Sequence, residues 1–361
     1  MALNYNRIVV KIGSNVLTQK NGMPDVDRMQ HLVDQINELK KSGKEVVVVS
    51  SGAVASGRSL ITVSEKADAV STRQLLASVG QVKLINTYSE LFNRHNLICA
   101  QVLVTKEDFR DRLHYLNMQN CFRILLQNNV IPIVNENDVI SVTELMFTDN
   151  DELAGLIASM LDADALIILS NVSGIYNGDP KEPGTEVIQE IDATTGFTSF
   201  ITAQRSQFGR GGMVTKSHMA SKVAQLGIAV HIASGKTWNV LPKLLNGEVV
   251  NTRFVPNKTA SGKKKWIAHS ENYTKGAVQI NAGAKAALNS SKATSLLPVG
   301  VIKIIGEFQK GDIIKVLDEQ EKQIGQGIAE YSSEKAAERI GQKNQKPLVH
   351  YDYLFLNPEL N

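Results

Sequence analysis

Cysteine is scarce in this sequence: Cys99 and Cys121 are the only two in 361 residues. Two thiols build neither a disulfide framework nor a structural zinc site, and a reducing, cytoplasmic setting is expected. Long apolar runs are missing too. Hydrophobic residues make up 43% of the chain, enough to fill a sizeable core. Yet no stretch approaches the ~20 residues that a membrane span needs. The opening MALNYNRIVVKIG lacks the charged, apolar and small-residue zones of a secretion signal. Nor does one charge dominate. Lysine and arginine total 39 against 36 acidic residues, for a net +3. That near balance argues against a dedicated nucleic-acid binder. The lysine run at 263–265 and the basic tail residues Lys335, Arg339, Lys343 and Lys346 read as solvated surface.

Several chemical signatures are absent as well. There is no G-x-x-x-x-G-K-[ST], which excludes a P-loop. No G-x-G-x-x-G follows the first strand, which argues against a dinucleotide fold. The seven histidines are scattered, and no His or Cys pair has metal-ligand spacing. No protein-bound metal is expected.

What is present is alternation. Short runs rich in β-branched residues lie at 7–12, 45–50, 97–104, 130–134, 165–169 and 228–233. Amphipathic stretches with helical spacing lie between them, at 29–41, 72–92, 111–127, 151–161 and 214–226. The strands are almost continuously apolar, as in a parallel sheet covered on both faces. The expected fold is α/β, a three-layer αβα sandwich with a mostly parallel sheet over 1–250. From Asn251 the chain turns polar and lysine-rich, with Pro256 and Gly262, and reads as a linker over 251–274. A small, mostly β domain follows over 275–356, with strands expected at 277–280, 300–305 and 312–316.

In open α/β sheets, ligands bind beyond the carboxyl ends of the strands. Small and polar residues collect there: Lys11-Ile12-Gly13-Ser14, Ser51-Gly52 through Gly57, Asn135-Glu136-Asn137-Asp138, and Ser170-Asn171. A further cluster, 209–213, precedes the helix that contains Lys216. Glycine-rich loops that open helices admit an anion, and lysines such as Lys11 and Lys216 neutralise charge on a moving phosphoryl group. Asp149-Asn150-Asp151 reads equally as a helix cap with acidic residues in its first turn. The long segment 138–148 carries Met146-Phe147, expected to be exposed, and is a candidate lid.

Taken in order, six motifs match a known pattern: Lys11-Ile12-Gly13-Ser14, Ser51 to Gly57, Asn135 to Asp138, Asp149 to Asp151, Gly174-Ile175-Tyr176 and Gly211 to Lys216. The chain resembles the amino-acid kinase family. Its C-terminal segment, with Ile280 to Leu288 and Ser295 to Gly300, resembles a PUA domain. The resemblance spans essentially the whole chain and runs closest to the branch that phosphorylates glutamate at the start of proline synthesis. It implies the amino-acid kinase fold, ATP with Mg2+, and L-glutamate as acceptor. Proline is implied as a feedback inhibitor, and a homodimer or homotetramer as the assembly.

Roles follow for matching positions. Lys11 and Lys216 are implied to contact phosphate, with Asp151 orienting both. Ser51, Gly52, Asp138 and Asn150 are implied to hold glutamate. Gly13, Ser170, Asn171 and the stretch Arg210, Gly211, Gly212, Met213, Val214, Thr215 and Lys216 are implied on the nucleotide side. The chain departs from the family at Ser170-Asn171, where most members carry Thr-Asp. This removes a carboxylate from that side. A carboxylate acceptor is already ionised at neutral pH, so the chemistry needs positioning and positive charge more than a base. Two other readings follow from the same residues: another acceptor, such as aspartate or acetylglutamate, and RNA binding through the PUA-like segment. The weak net charge disfavours the latter.

Overall fold

The computed structural model describes residues 3–63, 68–141, 147–179, 182–192, 212–257, 262–269, 274–290 and 294–356. Arg210, Gly211 and Met146 lie outside the described residues, and only the backbone of Gly212 and Val214 is described. The chain divides into two compact units, Met1–Thr259 and Ala260–Asn361.

The first unit runs β1 (Arg7–Ile12), α1 (Ser14–Leu17), α2 (Val26–Lys41), β2 (Glu45–Ser50), α3 (Ala53–Arg58), α4 (Ala69–Asn93), β3 (Cys99–Val104), α5 (Arg112–Gln127), β4 (Ile131–Glu136), α6 (Asn150–Met160), β5 (Ala165–Ser170), β6 (Glu190–Asp192), α7 (Gly212–Gln225), β7 (Ala229–Ser234), α8 (Val240–Leu245) and β8 (Thr252–Val255). The strands form one eight-stranded sheet in the order β3-β4-β2-β1-β5-β7-β8-β6. From β3 to β7 every pairing is parallel, and β8 runs antiparallel to β7. Central strands are buried on both faces, as their continuous apolar runs require. Edge strand β3 is only partly buried.

Aspartates start four of the helices. Asp25, Asp68, Asp111 and Asp149 each accept a backbone N–H in the first turn of α2, α4, α5 and α6. Helix α2 turns Met29, Leu32, Val33, Ile36 and Leu39 to the core, where they meet Ile8, Val10 and Ile12 of β1. Because the central strands are parallel, their carboxyl ends emerge together at one rim.

The stretch expected as a linker contains regular structure. Strand β8 completes the first sheet, with Thr252 and Phe254 fully buried. Its period-two pattern was hidden by the polar neighbours Asn251 and Arg253. Helix α9 (Gly262–Ala268) belongs to the second unit and buries Trp266, Ile267 and Ala268.

The second unit adds β9 (Gly276–Ile280), α10 (Ala282–Leu288), β10 (Val301–Ile305), β11 (Ile313–Leu317), β12 (Gln323–Ala329), α11 (Ser333–Glu338) and β13 (Val349–Leu356). These strands form a five-stranded sheet in the order β10-β9-β11-β12-β13. Its core gathers Val278, Ile280, Phe308, Ile314, Val316, Ile324 and Val349. Strand β12 carries Gly325 and Gly327, too poor in β-branched residues to be read from sequence. Among the described residues no helix is long and apolar enough to cross a membrane.

Candidate active site

Alternation along β1 sends Ile8, Val10 and Ile12 into the core cluster and therefore turns Lys11 to the opposite face. There it meets Asp151, in the first turn of α6. Lys11 Nζ lies 2.7 Å from Asp151 Oδ1, and Lys216, from α7, donates to Oδ2 of the same carboxylate. The three residues are 7%, 2% and 8% exposed respectively. Burial alone would push the Asp151 carboxyl up, but the charges of Lys11 and Lys216 and their hydrogen bonds outweigh it and hold the pKa below its ordinary value. The sum is one surplus positive charge in a poorly solvated place, suited to an incoming anion.

Asp149 sits beside this triad and caps α6. Its Oδ1 accepts the N–H groups of Asp151 at 2.9 Å and Glu152 at 3.1 Å. Burial, and then the charge of Asp151, raise its pKa. Gly13 follows β1, and its N–H is committed to the carbonyl of Leu169 at 3.1 Å. A Cβ at Gly13 would meet the Leu169 carbonyl oxygen at 3.3 Å, a tight contact, and Lys11 Nζ at an ordinary 3.5 Å.

Next to the triad is a cavity of about 280 Å³, lined in part by Ser51, Gly52, Asp138 and Asn150. Gly52 adopts φ +111°, a left-handed conformation that a side chain would strain. Asn150 ties the strands together: its Nδ2 reaches Ser51 Oγ at 3.0 Å and Asn135 Oδ1 at 3.1 Å. Asn135 in turn donates to Gln81 Oε1 at 3.0 Å. The distant glycine of the same motif, Gly57, serves packing instead. A Cβ there would fall 2.0 Å from the Leu76 carbonyl, and one at Gly80 would fall 1.8 Å from that of Ala53. Helices α3 and α4 touch backbone to backbone.

Arg73, from α4, also lines the cavity, and sequence reasoning did not single it out. Its Nε and Nη2 lie 2.9 and 2.8 Å from Asp138 Oδ1, and Nη2 lies 3.4 Å from Glu136 Oε2. An arginine inside an amphipathic helix has no local signature, and only the fold brings it to this rim. Glu136 is nearly buried, and burial raises its pKa despite the N–H it accepts from Phe147 at 2.9 Å. Phe147 itself is buried, 3% exposed, and packs edge-on against Phe109 at 6.0 Å. The expectation of an exposed Met146-Phe147 therefore fails for Phe147. Its aromatic partner lies 38 positions away in sequence, which local reading cannot see.

Ser170 ends β5, with its Oγ 3.3 Å from Asn171 Oδ1. Met213 and Thr215 are partly buried in the first turn of α7, which also carries Lys216. A larger cavity, about 650 Å³, lies elsewhere, at His231 and Arg253. His231 is already occupied there, by Tyr5 Oη at 3.0 Å and Asn251 Oδ1 at 2.9 Å, and burial pushes its pKa down to about 4. None of the triad residues lines that cavity.

Comparison with known proteins agrees with the fold. The model of the amino acid kinase family matches residues 6–234, and that of the PUA domain matches 276–351. A glutamate 5-kinase of Bacteroides thetaiotaomicron is 55% identical, over 99% of this chain and 100% of its own. One from Chlorobaculum tepidum is 51% identical, over 98% of each. Among solved structures, a carbamate kinase from Giardia lamblia bound to AMP-PNP aligns with a TM-score of 0.51 and 21% identity. It covers 70% of this chain and 99% of its own, and speaks to the fold alone. The chain belongs to the amino acid kinase family, grouped with the glutamate 5-kinases, and carries a PUA domain.

Proposed function

We propose that the chain transfers the γ-phosphoryl group of ATP to the γ-carboxylate of L-glutamate, giving L-glutamyl 5-phosphate and ADP, the first step of proline synthesis. The observation that carries this reading is the buried Lys11–Asp151–Lys216 triad, with its surplus positive charge, beside a cavity of amino-acid size. The full-length likeness to glutamate 5-kinases supplies the choice of acceptor.

A γ-carboxylate oxygen attacks the γ-phosphorus while the bond to the bridging oxygen of ADP breaks. The acceptor is already an anion, so no general base is required. The obstacle is bringing two anions into line, and positioned positive charge lowers that barrier. Lys11 and Lys216 meet the transferring group, and Asp151 aims both ammonium groups. Asn150 and Ser51 hold the acceptor, and Asp138 takes its ammonium. Ser170, Asn171 and residues 210–216 are assigned to nucleotide binding. Among the described residues no group of three or more His, Cys, Asp or Glu side chains could hold a metal ion. Both oxygens of Asp151 face lysines, and Asp149 Oδ1 caps a helix. Magnesium is therefore read as part of the substrate, MgATP.

Proline inhibits from the glutamate cavity, and the enzyme works in the cytoplasm as a homodimer or homotetramer. The test is ATP consumption with glutamate, aspartate and acetylglutamate side by side, with and without proline. Turnover with glutamate well above the others, suppressed by proline, is expected. Equal or greater turnover with another acid overturns the assignment of acceptor.

A further inference from the structure

We propose that Gly155 and Met219 are a matched packing pair that sets the reach of Lys216 to Asp151. This rests on the catalytic reading of the triad above. Gly155 lies one turn beyond Asp151, on the same face of α6, and Met219 lies one turn beyond Lys216 on α7. A Cβ at Gly155 would fall 2.3 Å from Met219 Sδ, 3.0 Å from Met219 Cγ and 3.0 Å from Val223 Cγ2. The first is shorter than real contacts, and the two at 3.0 Å are tight enough that the neighbours must give. The missing side chain therefore lets the thioether lie directly on the backbone of α6. Val223, fully buried on the same helix, is met at 3.0 Å as well, so a methyl at 155 presses on α7 as well as on the flexible thioether. Lys216 and Met219 share one helix, and the displacement passes to the ammonium group. Gly155 and Met219 touch no reacting atom. They are positioning residues.

The test compares G155A, M219A and the double variant G155A/M219A in the full chain. In G155A, kcat is expected to fall about tenfold or more, since a misplacement of about 1 Å can cost about a hundredfold. The KM for glutamate stays within about twofold, because the acceptor cavity is not lined by either residue. Removing the thioether in the double variant returns kcat to within about threefold of M219A. A crystal structure of G155A is expected to show Lys216 Nζ beyond hydrogen-bond reach of Asp151. Wild-type kcat in a folded G155A overturns the proposal, as does an equal loss with and without Met219. If G155A alone does not fold, the double variant must fold and turn over. A double variant that remains unfolded overturns the pairing. Absence of ATP-dependent glutamate phosphorylation in the wild type would instead remove the catalytic reading, while the Lys216–Asp151 separation in G155A still tests the pair.

Discussion

The two ends of the candidate site handle charge in opposite ways. At the phosphate end, Asp151 is enclosed by Lys11 and Lys216, and all three are almost wholly buried. At the acceptor end, Asp138 and Glu136 share Arg73, whose side chain is 44% exposed. Burial makes the first cluster sensitive to the loss of any member, because an unpaired charge left behind cannot be solvated. The second is adjustable at its arginine: Asp138 and Glu136 are nearly buried, but the half-exposed guanidinium is solvated and can release a carboxylate to a ligand. A site that must hold reacting charge rigidly and also admit a charged substrate needs both arrangements.

The sharpest way to break this contrast is at Asp151. Asp151→Ala leaves two ammonium groups facing each other and is expected to destabilise the first unit by about 3–5 kcal/mol. It also cuts turnover by about a hundredfold or more. Chemical denaturation and steady-state kinetics measure the two effects. Its pH dependence carries a definite sign. The folded pKa of Asp151 lies below the unfolded value, so the stability it contributes is complete above that unfolded value. It is lost as pH falls through the lowered folded one. Glu136 works the other way. Its folded pKa lies above the unfolded one, so its charged form costs stability at neutral pH, and the cost is relieved as pH falls through the raised value.

Smaller effects follow at the acceptor end. Asn150→Ala removes the donor shared by Ser51 and Asn135 and is expected to raise the KM for glutamate about tenfold or more. Gly80→Ala forces α4 away from α3 and is expected to cost about 1–3 kcal/mol, read from a denaturant midpoint. Smaller still, Arg73→Gln is expected to change stability by less than about 1 kcal/mol, since the guanidinium is half in water and the amide keeps a donor for the two carboxylates. A loss at Arg73 as large as that at Asp151 would abolish the distinction drawn between the two ends.

Much of the fold was legible in local pattern. The continuous apolar runs of β1, β2, β4, β5 and β7 and the amphipathic α2 follow from hydrophobic period alone. Strands β8 and β12 were not legible, because Arg253 interrupts one and glycines dilute the other. At the site, Lys11, Asp151 and Lys216 were each visible as residues beside a strand end or helix start. Arg73 had no such marker, and Phe147 looked like a lid residue until Phe109 was placed against it.

By itself, then, the sequence determined most elements of the first unit, their order and the rim where polar residues gather, because hydrophobic periodicity and capping act within a few residues. Tertiary structure alone decided which of those polar groups meet. Residues 11, 151 and 216 share a charge balance only because β1, α6 and α7 pack together. Gly57, read as part of an anion loop, turned out to be a contact between helices for the same reason. Electrostatic pairing and close packing depend on distance in space, and that distance is fixed by the fold.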